Sequence, residues 1–417
     1  MLKAWFDTAL WKRVLLALIL GVIAGSLWGE GATAISWLGD MFIRLIRMVI
    51  VPLVFLTLVS GVIAMGDPKR LGSIGIKTIM LYMGTTAVAI VIGLVLATLI
   101  QPGVGVDLAA AGTESKALVR QAMTLDGFIE MLIPKNPVKA MVDAKMLQII
   151  FFGVMFGAAL MMTKEDGKPV ANVIEAGSEV MLKMTHMVME MAPFGVFALI
   201  ATTAGTQGAS ALLDVVPLVV TVVGGCIIHV LVTHGIIMKF LLGLPPVRFF
   251  KDIIEPQLVA FSTSSSSATL PVTMATAEDN LGIKAPVASS VLPLGSTINM
   301  DGTGIYVGAV AIFAAQALGI DLSLIDYLLI AASTTLVSIG TAAVPSASLF
   351  LLTAVLSVIG VSGEQTAIIV GFLFAFDRPL DMCRTVVNVT GDLSVATAVA
   401  KWEDEIDEDV FRDDPKV

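Results

Sequence analysis

Long apolar segments with almost no charge constrain this chain more than any other feature of its sequence. Six of them lie within the first 241 residues, at about 12–28, 36–64, 75–100, 146–163, 171–203 and 211–241. About 20 apolar residues are enough for a helix to cross the hydrocarbon core of a bilayer. Charged residues make up 14% of the 417, against about 25% in a soluble domain. The sequence therefore predicts an all-α, multi-pass membrane protein.

Lysine and arginine cluster in alternate loops, and this asymmetry orients the chain because basic loops stay in the cytoplasm. Basic residues precede the first segment and recur near 69–77, 164–168 and 239–251, whereas the loops near 29–35 and 203–212 have none. Both ends of the chain are therefore predicted to be cytoplasmic. A cleaved signal peptide is the alternative for the first segment, and the further apolar segments favour an uncleaved span.

Composition and charge exclude several classes of protein. Two Cys and three His are too few for a disulfide framework or a Cys/His zinc cluster. We interpret His186, His229 and His234 as packed or interfacial side chains rather than proton relays. The last 17 residues hold eight acidic and three basic residues, which predicts a solvated acidic tail at 403–417. Neither a nucleic-acid partner nor ATP-driven transport is expected, since the chain is acidic and has no P-loop.

Two segments of the second half share an unusual pattern. Residues 253–277 and 324–361 are each apolar, then small and hydroxyl-rich around one proline, then apolar again. Each half is too short to span a bilayer, and irregular backbone at membrane depth must be buried in protein or line a cavity. The pattern predicts two re-entrant helical hairpins, with their tips within Ser262–Pro271 and Ser338–Ser348.

A long apolar segment with a polar interruption follows each predicted hairpin. The interruptions are Asn299–Thr303 and Asn388–Asp392, so that a hairpin plus a broken helix is predicted to occur twice. Repeats with paired interrupted helices are typical of secondary transporters, which bind their substrate near the membrane midplane.

The last apolar segment carries a single polar stripe. At 100° per residue, six residues fall within an arc of about 100°: Asp377, Asp381, Arg384, Thr385, Asn388 and Asp392. Charges at bilayer depth cost at least a few kcal/mol each, so they indicate function rather than scaffolding. The stripe has two surplus negative charges, and Asp301 raises the surplus to three. Oxygen ligands of this kind suit a hard cation, and we predict Na⁺.

Arg384 in this stripe indicates the class of substrate. Its planar guanidinium matches a carboxylate in a bidentate pair, and Asp381, one turn earlier, is placed to take an ammonium group. A carboxylate and an ammonium beside a second carboxylate describe an acidic amino acid. The tips at Ser264–Ser267 and Val344–Ser348 would offer hydroxyl and backbone N–H groups to its α-carboxylate.

These residues resemble the dicarboxylate/amino acid:cation symporters, a family that includes prokaryotic aspartate and glutamate transporters and the excitatory amino acid carriers. The resemblance covers nearly the whole chain and is sharpest in SSSATLP at 265–271, NMDGT at 299–303 and DMCRTVVNVTGD at 381–392. It implies eight transmembrane helices and two re-entrant hairpins arranged as inverted repeats. It also implies a homotrimer in a bacterial or archaeal inner membrane, with a transport domain that moves like an elevator.

The same resemblance divides the chain into parts. Residues 1–243 would supply six transmembrane helices, of which the first, second, fourth and fifth form a trimerisation scaffold. The third and sixth would join the transport domain, whose substrate and cation core is formed by residues 244–402. Residues 403–417 would be the cytoplasmic tail.

The resemblance further implies the site residues. Substrate would contact Ser264, Ser266, Thr303, Val344, Pro345, Asp381, Arg384, Thr385 and Asn388. One Na⁺ would be bound by Asn388 and Asp392 with the carbonyls of Gly295 and Asn299. A second would lie on carbonyls of Thr297, Ser338, Ile339 and Thr341. A third would use Thr85, Thr86, Asn299 and Asp301 with the carbonyl of Tyr82.

Both hairpin tips depart from the family pattern. The second tip has Ala343, Ser346 and Ser348 where relatives often have glycine. The first tip has Ser264 where some archaeal members carry an arginine, which leaves Asp377 without that partner.

The sequence predicts a Na⁺-coupled symporter of aspartate or glutamate, and not an enzyme. The alternative is a symporter that couples C4-dicarboxylates to H⁺ instead. An ion channel and an intramembrane hydrolase are the interpretations from other classes. A hydrolase needs a base beside its nucleophile, and no histidine lies near the serine run.

Overall fold

The computed structural model describes residues 8, 10–64, 68–106, 125–208, 213–341 and 346–412. Within these ranges every regular element is a helix, and the one strand-like feature is an isolated bridge between Ile283 and Ile406. The predicted all-α class is confirmed for the described part of the chain.

The helices follow one another with short connections. Those of the N-terminal part are α1 Leu10–Trp28, α2 Ser36–Ala64, α3 Pro68–Ile100, α4 Leu125–Leu132, α5 Pro137–Val142, α6 Met146–Thr163, α7 Lys168–Met189, α8 Ala192–Gln207 and α9 Val216–Ile228. The helix α9 continues in π-helical turns over His229–His234 and Ile237–Leu241. Those of the C-terminal part are α10 Pro246–Asp252, α11 Ile254–Thr263, α12 Ser266–Asp279, α13 Ala285–Ile298, α14 Asp301–Ala317, α15 Leu324–Gly340, α16 Ala347–Val358, α17 Gly363–Trp402 and α18 Glu408–Arg412.

Several helical segments are long and apolar enough to cross a membrane. Among the described residues there are five: Lys12–Ile63, Gly72–Ile100, Met146–Met189, Leu213–Leu241 and Ala285–Ala317. Shorter apolar helices, including α8, α15 and α16, lie between them or follow them. The chain is therefore a multi-pass membrane protein, and the number of eight spans stays a prediction.

The predicted span at 171–203 is wrong as one continuous helix. The structure divides it between α7, which ends at Met189, and α8, which begins at Ala192. Pro193 lies in the first turn of α8, where a missing backbone N–H breaks no helical hydrogen bond. Because the sequence is apolar on both sides of this break, hydropathy alone does not reveal it.

One group of helices consists of α1, α2, α6, α7 and α8. The helix α1 crosses α8, and α2 lies against α6, α7 and α8. A Cβ atom on Gly25 would lie 2.3 Å from the carbonyl oxygen of Ala201, so the crossing of α1 and α8 requires glycine there. Arg13 donates two hydrogen bonds to the Glu190 carboxylate, at 2.6 and 3.1 Å, and fixes α1 to the junction between α7 and α8.

A second group of helices surrounds α14. The helices α3, α9, α15, α16 and α17 all pack against it, and residues 301–315 are buried on every side. A helix that is enclosed in this way is apolar all round rather than amphipathic. Gly93 of α3 permits the closest approach, since a Cβ there would lie 2.5 Å from the carbonyl oxygen of Ile305.

Both predicted hairpins are helix–break–helix units. In the first hairpin α11 packs against α12, and Ser264 between them has a left-handed φ of 52°. In the second hairpin α15 packs against α16, and Ser346 has a φ of 62°. This conformation costs a residue other than glycine on the order of 1 kcal/mol, so each tip holds one strained serine. The remaining tip residues 342–345 lie outside the described residues.

The first of the two predicted helix interruptions is confirmed, and the second is wrong. Asn299 and Met300 have non-helical conformations between α13 and α14. The helix α17 instead runs unbroken through 388–392. Gly391 serves a close contact there, because a Cβ at this position would lie 2.5 Å from Nδ2 of Asn299. Gly391 therefore does not interrupt α17. It leaves space for the side chain of Asn299, which lies at the interruption between α13 and α14.

The described part of the acidic tail packs on the protein. Phe411 of α18 is fully buried, and Ile406 forms the bridge to Ile283. Lys77 of α3 donates to Glu403 at 2.8 Å, and this hydrogen bond lowers the pKa of the Glu403 carboxyl. The expected solvated end is therefore wrong for this part, because one aromatic side chain anchors it.

Candidate functional site

The predicted polar stripe of α17 is enclosed by protein. Its six members are at most 7% exposed: Asp377, Asp381, Arg384, Thr385, Asn388 and Asp392. The opposite side of the helix, with Met382, Val389 and Leu393, is buried as well. Between 377 and 392 no residue of α17 is fully exposed, and Pro379, Cys383 and Val386 are half-buried.

Arg384 is held by two carboxylates and an aromatic ring. Its Nη2 donates to Oδ1 of Asp377 at 2.9 Å and to Oδ1 of Asp381 at 2.8 Å. Its guanidinium carbon lies 3.9 Å from the ring centre of Tyr306, a cation–π contact. Tyr306 was not predicted from the sequence, although it follows the predicted site residue Thr303 by three positions and therefore lies on the same side of α14.

Arg378 is a second buried guanidinium that the sequence analysis missed. It is 5% exposed, and its Nη1 lies 3.7 Å from Oδ2 of Asp381. At 100° per residue it lies just past the edge of the stripe, directly after Asp377. Asp301 and the charged residues of this part of α17 form a charged cluster of four carboxylates and two guanidinium groups: Asp301, Asp377, Asp381, Asp392, Arg378 and Arg384. Its surplus is two negative charges instead of the predicted three.

Six of the predicted substrate residues line one small cavity between the two hairpins. They are Ser264, Ser266, Thr303, Asp381, Thr385 and Asn388. The cavity has a volume of about 20 Å³, which is room for a single water. Arg384 reaches this cavity through its bond to Asp381. The predicted contacts Val344 and Pro345 lie outside the described residues.

Several buried polar atoms around this cavity lack a hydrogen-bond partner. Within the described ranges they include Oγ of Ser264, Oδ2 of Asp377, and Nε and Nη1 of Arg384. Buried polar groups in proteins are normally hydrogen-bonded. Ser264 lines the cavity, so a polar ligand there meets its Oγ directly. Asp377 and Arg384 do not line it and are connected to it through the hydrogen bond from Arg384 to Asp381.

The second hairpin is bonded to the same carboxylate as Arg384. The backbone N–H of Ser346 donates to Oδ2 of Asp381 at 2.9 Å. Ser346 precedes the first turn of α16, and the N-terminus of a helix attracts negative charge. The Asp381 carboxylate therefore accepts one hydrogen bond on each oxygen, and it also holds the tip of the second hairpin.

Asn299 links two of the predicted cation sites. Its Nδ2 donates to Oδ1 of Asp392 at 3.0 Å and to the carbonyl of Asn388 at 3.2 Å. Its Oδ1 accepts from Oγ1 of Thr85 at 3.4 Å. Gly295 is close by, since a Cβ on it would lie 2.5 Å from Oδ1 of Asp392. The structure thus brings together the residues predicted for the first Na⁺.

The residues predicted for the third Na⁺ also meet. Oγ1 of Thr86 donates to Oδ1 of Asp301 at 2.6 Å, and Oγ1 of Thr85 donates to the carbonyl of Tyr82 at 3.2 Å. The other carboxylate oxygen of Asp301 lies 3.1 Å from Nε2 of His229. The interpretation of His229 as an ordinary packed histidine missed this contact.

The residues predicted for the second Na⁺ are brought together only in part. Oγ of Ser338 donates to the carbonyl of Met300 at 3.0 Å, and the N–H of Thr341 donates to the carbonyl of Ser338 at 3.3 Å. The methyl group of Thr297 faces Gly61 of α2, where a Cβ would approach it to 2.7 Å. Ile339 is half-buried. The site formed by four carbonyls stays a prediction.

A larger cavity, of about 400 Å³, lies away from all these residues. Glu130, Asp143, Lys145 and Gln148 line it on one side and Ser357 of α16 on the other. None of the predicted site residues contacts it.

Comparison with known proteins identifies the family. The family model of the sodium:dicarboxylate symporter family matches residues 10–402, a range that contains every predicted site residue. The chain belongs to the sodium:dicarboxylate symporter family.

Relatives of this symporter are similar over almost their full length. The proton/glutamate-aspartate symporter of Escherichia coli (strain K12) is 37% identical, over 95% of this chain and 93% of its own. The proton/sodium-glutamate symport protein of Geobacillus stearothermophilus is 35% identical, over 95% of each chain. The C4-dicarboxylate transport protein of Brucella anthropi is 34% identical, over 97% of this chain and 91% of its own.

Gly391→Ala in this symporter is expected to damage the predicted cation sites. Its Cβ would lie 2.5 Å from Nδ2 of Asn299 and 3.2 Å from Oδ2 of Asp301. Overpacking of this kind costs about 1–3 kcal/mol, and it displaces the amide that joins Asp392 to Thr85. We expect a lower melting temperature and a higher Na⁺ concentration at half-saturation.

Gly224→Ala is the matched control for this prediction. Gly224 is also inside a helix, and a Cβ on it meets no atom within 4 Å. Alanine is the better helix former, by up to about 1 kcal/mol, so this variant should melt no lower than the wild type. Equal melting temperatures and Na⁺ titrations for the two variants would contradict the close contact at Gly391.

Proposed function

We propose that this chain is a secondary transporter that carries aspartate or glutamate together with Na⁺ by an elevator-type alternating-access movement. The observation that carries the proposal is the buried pair of Arg384 and Asp381 beside a cavity lined by hydroxyl groups of both hairpin regions. A guanidinium for the side-chain carboxylate and a carboxylate for the ammonium are the two charged partners that an acidic amino acid needs. Two of the relatives are named as glutamate or glutamate-aspartate symporters, and this supports the substrate class.

Binding of the substrate exchanges partners within the cluster. The side-chain carboxylate of the amino acid takes the place of Asp381 on Arg384, whose Nε and Nη1 are free to complete a bidentate pair. Asp381 then accepts the ammonium group. The cavity of about 20 Å³ is too small for an amino acid, so the second hairpin must move and the N–H of Ser346 must leave Asp381.

The negative surplus of the cluster supports coupling to a cation. Two uncompensated carboxylates in a buried site need a positive partner. Asp301 and Asp392 contact nitrogens of His229 and Asn299, and the hydroxyl of Thr86 and the amide oxygen of Asn299 lie beside them as further oxygen ligands. Asn388 connects this region to the substrate cavity, because its Oδ1 accepts from the N–H of Gly302 at 2.8 Å and its carbonyl accepts from Asn299. Cation and substrate therefore share a residue, and each is expected to raise the affinity for the other by the same factor.

In the movement that we propose, the boundary between the static and the moving part of the protein lies between the two groups of helices described above. The group of α1, α2, α6, α7 and α8 would form a static scaffold in a homotrimer within a bacterial or archaeal inner membrane. The group around α14 would carry the substrate past it, with both ends of the chain in the cytoplasm. The helix α13, which leads into α14, would move with this second group. Gly61 of α2 and Thr297 of α13 are in contact, so a glycine would let the two surfaces pass close to each other there.

A proton-coupled symporter of C4-dicarboxylates is the second candidate. The observation that favours it is that Asp381 already accepts hydrogen bonds from Arg384 and from the N–H of Ser346. A substrate without an ammonium group would leave Asp381 with the second of these partners. The C4-dicarboxylate transport protein of Brucella anthropi is a relative named for such substrates.

Uptake into proteoliposomes tests the two candidates directly. We expect labelled aspartate to accumulate when an inward Na⁺ gradient is imposed at equal pH on both sides, and labelled succinate to accumulate far less. The same vesicles with a proton gradient and no Na⁺ should show only slow uptake. Asp381→Asn should abolish the preference for aspartate over succinate, because its side chain no longer neutralises an ammonium group.

The opposite pattern would replace the first candidate by the second. Succinate uptake driven by a proton gradient, with no response to Na⁺ and no effect of Asp381→Asn on the choice of substrate, would show that Asp381 does not bind an ammonium group.

A further inference from the structure

Two of the three histidines of the chain come together because α9 changes its winding. His229 and His234 are five positions apart, which in an α-helix leaves them about 140° apart around the axis. The stretch His229–His234 is π-helical, and a π-helical turn closes between residues i and i+5. The two rings accordingly meet edge to face, with centres 4.9 Å apart. Local π-helical turns of this kind occur frequently at functional sites.

Asp301 at the start of α14 completes a three-residue cluster. One ring nitrogen of each histidine and one carboxylate oxygen of Asp301 lie within 4.8 Å of one another, and all three residues are buried. The closest pair is Nε2 of His229 and Oδ2 of Asp301, at 3.1 Å. Ligands on a tetrahedral ion at 2.0–2.2 Å stand about 3.3–3.6 Å apart. Two ligands are thus near their final spacing, and His234 must approach by at most roughly 1.5 Å.

The ring nitrogens of His234 are an independent indication of a ligand. Both are buried without a hydrogen-bond partner among the residues that the structure describes. A buried imidazole normally satisfies at least one nitrogen. His229 differs, because Oγ1 of Thr233 lies 3.1 Å from its Nδ1. Without an ion, Nε2–H of His229 donates to the Asp301 carboxylate and Nδ1 accepts from the Thr233 hydroxyl. When an ion replaces the Nε2 proton, the neutral ring carries its proton on Nδ1, where the Thr233 oxygen can accept it, and the Nε2 lone pair is directed at the ion.

We propose that His229, His234 and Asp301 bind a divalent transition-metal ion of the Zn²⁺ type. Two imidazoles and one carboxylate form a common set of three protein ligands for Zn²⁺, with the fourth position left to water. The small number of cysteines and histidines in the sequence predicted that no Cys/His zinc cluster is present. That count could not show that the π-helical turn joins two of the histidines to a carboxylate from a distant helix.

A metal ion in this place would compete with a coupling cation. This consequence rests on the proposed function, since it assumes that Asp301 also binds Na⁺. The two ions would share the single negative charge of Asp301 and repel each other at this short distance. Zn²⁺ is therefore expected to shift Na⁺ titrations to higher concentration. Metal binding itself does not depend on Na⁺ coupling and is measured separately.

Direct binding to the purified full-length protein tests the site, with an affinity tag that contains no histidine. Co²⁺ serves as the visible probe and Zn²⁺ is titrated by calorimetry. We expect one Co²⁺ per chain with the absorption of a four-coordinate ion, displaced by equimolar Zn²⁺. His234→Gln should weaken binding by more than the 10- to 100-fold that the loss of a mere outer-shell partner costs. His234→Cys should retain binding, because a thiolate is also a zinc ligand.

His186→Gln is the matched control, because His186 is exposed and is the remaining histidine of the chain. Gel filtration establishes that every variant is folded. The proposal is overturned if His234→Gln, eluting like the wild type, binds Co²⁺ with unchanged affinity and spectrum. It is also overturned if His186→Gln loses as much affinity as His234→Gln, since the ion would then bind at the surface. If Zn²⁺ binds as expected but Na⁺ does not compete, the metal site stands and the assignment of Asp301 to Na⁺ fails.

Discussion

Arg384→Cys is expected to lower the affinity for aspartate on the order of a hundredfold, as loss of a charged hydrogen-bonded partner does. The same change should leave serine, alanine or cysteine bound at least as well as before. Without this guanidinium, α17 presents three Asp carboxylates against Arg378 alone, and an incoming side-chain carboxylate is repelled. A neutral amino acid loses no partner, because Asp381 still accepts its ammonium group. Competition against a bound reporter at saturating Na⁺, or calorimetry, measures both effects.

Two further variants distinguish a direct contact between Arg384 and the substrate carboxylate from a general effect of removing one positive charge. Arg47→Cys makes the same change at an exposed arginine of α2, and aspartate affinity should stay within about threefold. Arg378→Cys removes the second guanidinium of the cluster, which lies 3.7 Å from Asp381. We expect a smaller loss of aspartate affinity than for Arg384→Cys and no change in substrate preference. If aspartate affinity in Arg384→Cys stays within threefold of the wild type, Arg384 does not bind the side-chain carboxylate.

Much of the site was predictable because its residues follow regular periods. Asp377, Asp381, Arg384, Asn388 and Asp392 share one side of a helix by simple geometry, and the structure buries all of them. The hairpins were predictable from the hydroxyl-rich breaks within apolar sequence, which cannot span a bilayer. In both cases the signal lies within a short stretch of chain.

The features that sequence reasoning missed depend on contacts between distant segments. Gly391 resembles a helix breaker, yet it is required by the approach of Asn299 from another helix. Tyr306 stacks on Arg384 across two helices. The pairing of His229 with Asp301 joins positions 72 residues apart, and no period in the sequence relates them. Arg378 was missed for a different reason, since the arc that defined the stripe was drawn too narrowly.

The clearest test of cation coupling uses Asp301→Asn and Asp392→Asn, which are expected to abolish most of the dependence of aspartate affinity on Na⁺. Both changes keep the shape of the side chain. The amide oxygen can still accept from Thr86 at position 301 and from Asn299 at position 392, so the fold should be retained. Each change removes one of the two surplus negative charges that we assign to Na⁺, and with it a hard anionic ligand.

The form of the titration distinguishes lost coupling from a damaged substrate cavity. Coupling between two ligands commonly amounts to a factor of about 5–150 in affinity, and we expect the wild type to gain such a factor between no Na⁺ and saturating Na⁺. Asp301→Asn and Asp392→Asn should start from the same aspartate affinity without Na⁺ and gain little on its addition. Asp40→Asn, at an exposed carboxylate of α2, should follow the wild-type curve. A wild-type affinity that does not respond to Na⁺ but rises as the pH falls would show instead that the two surplus charges are neutralised by protons.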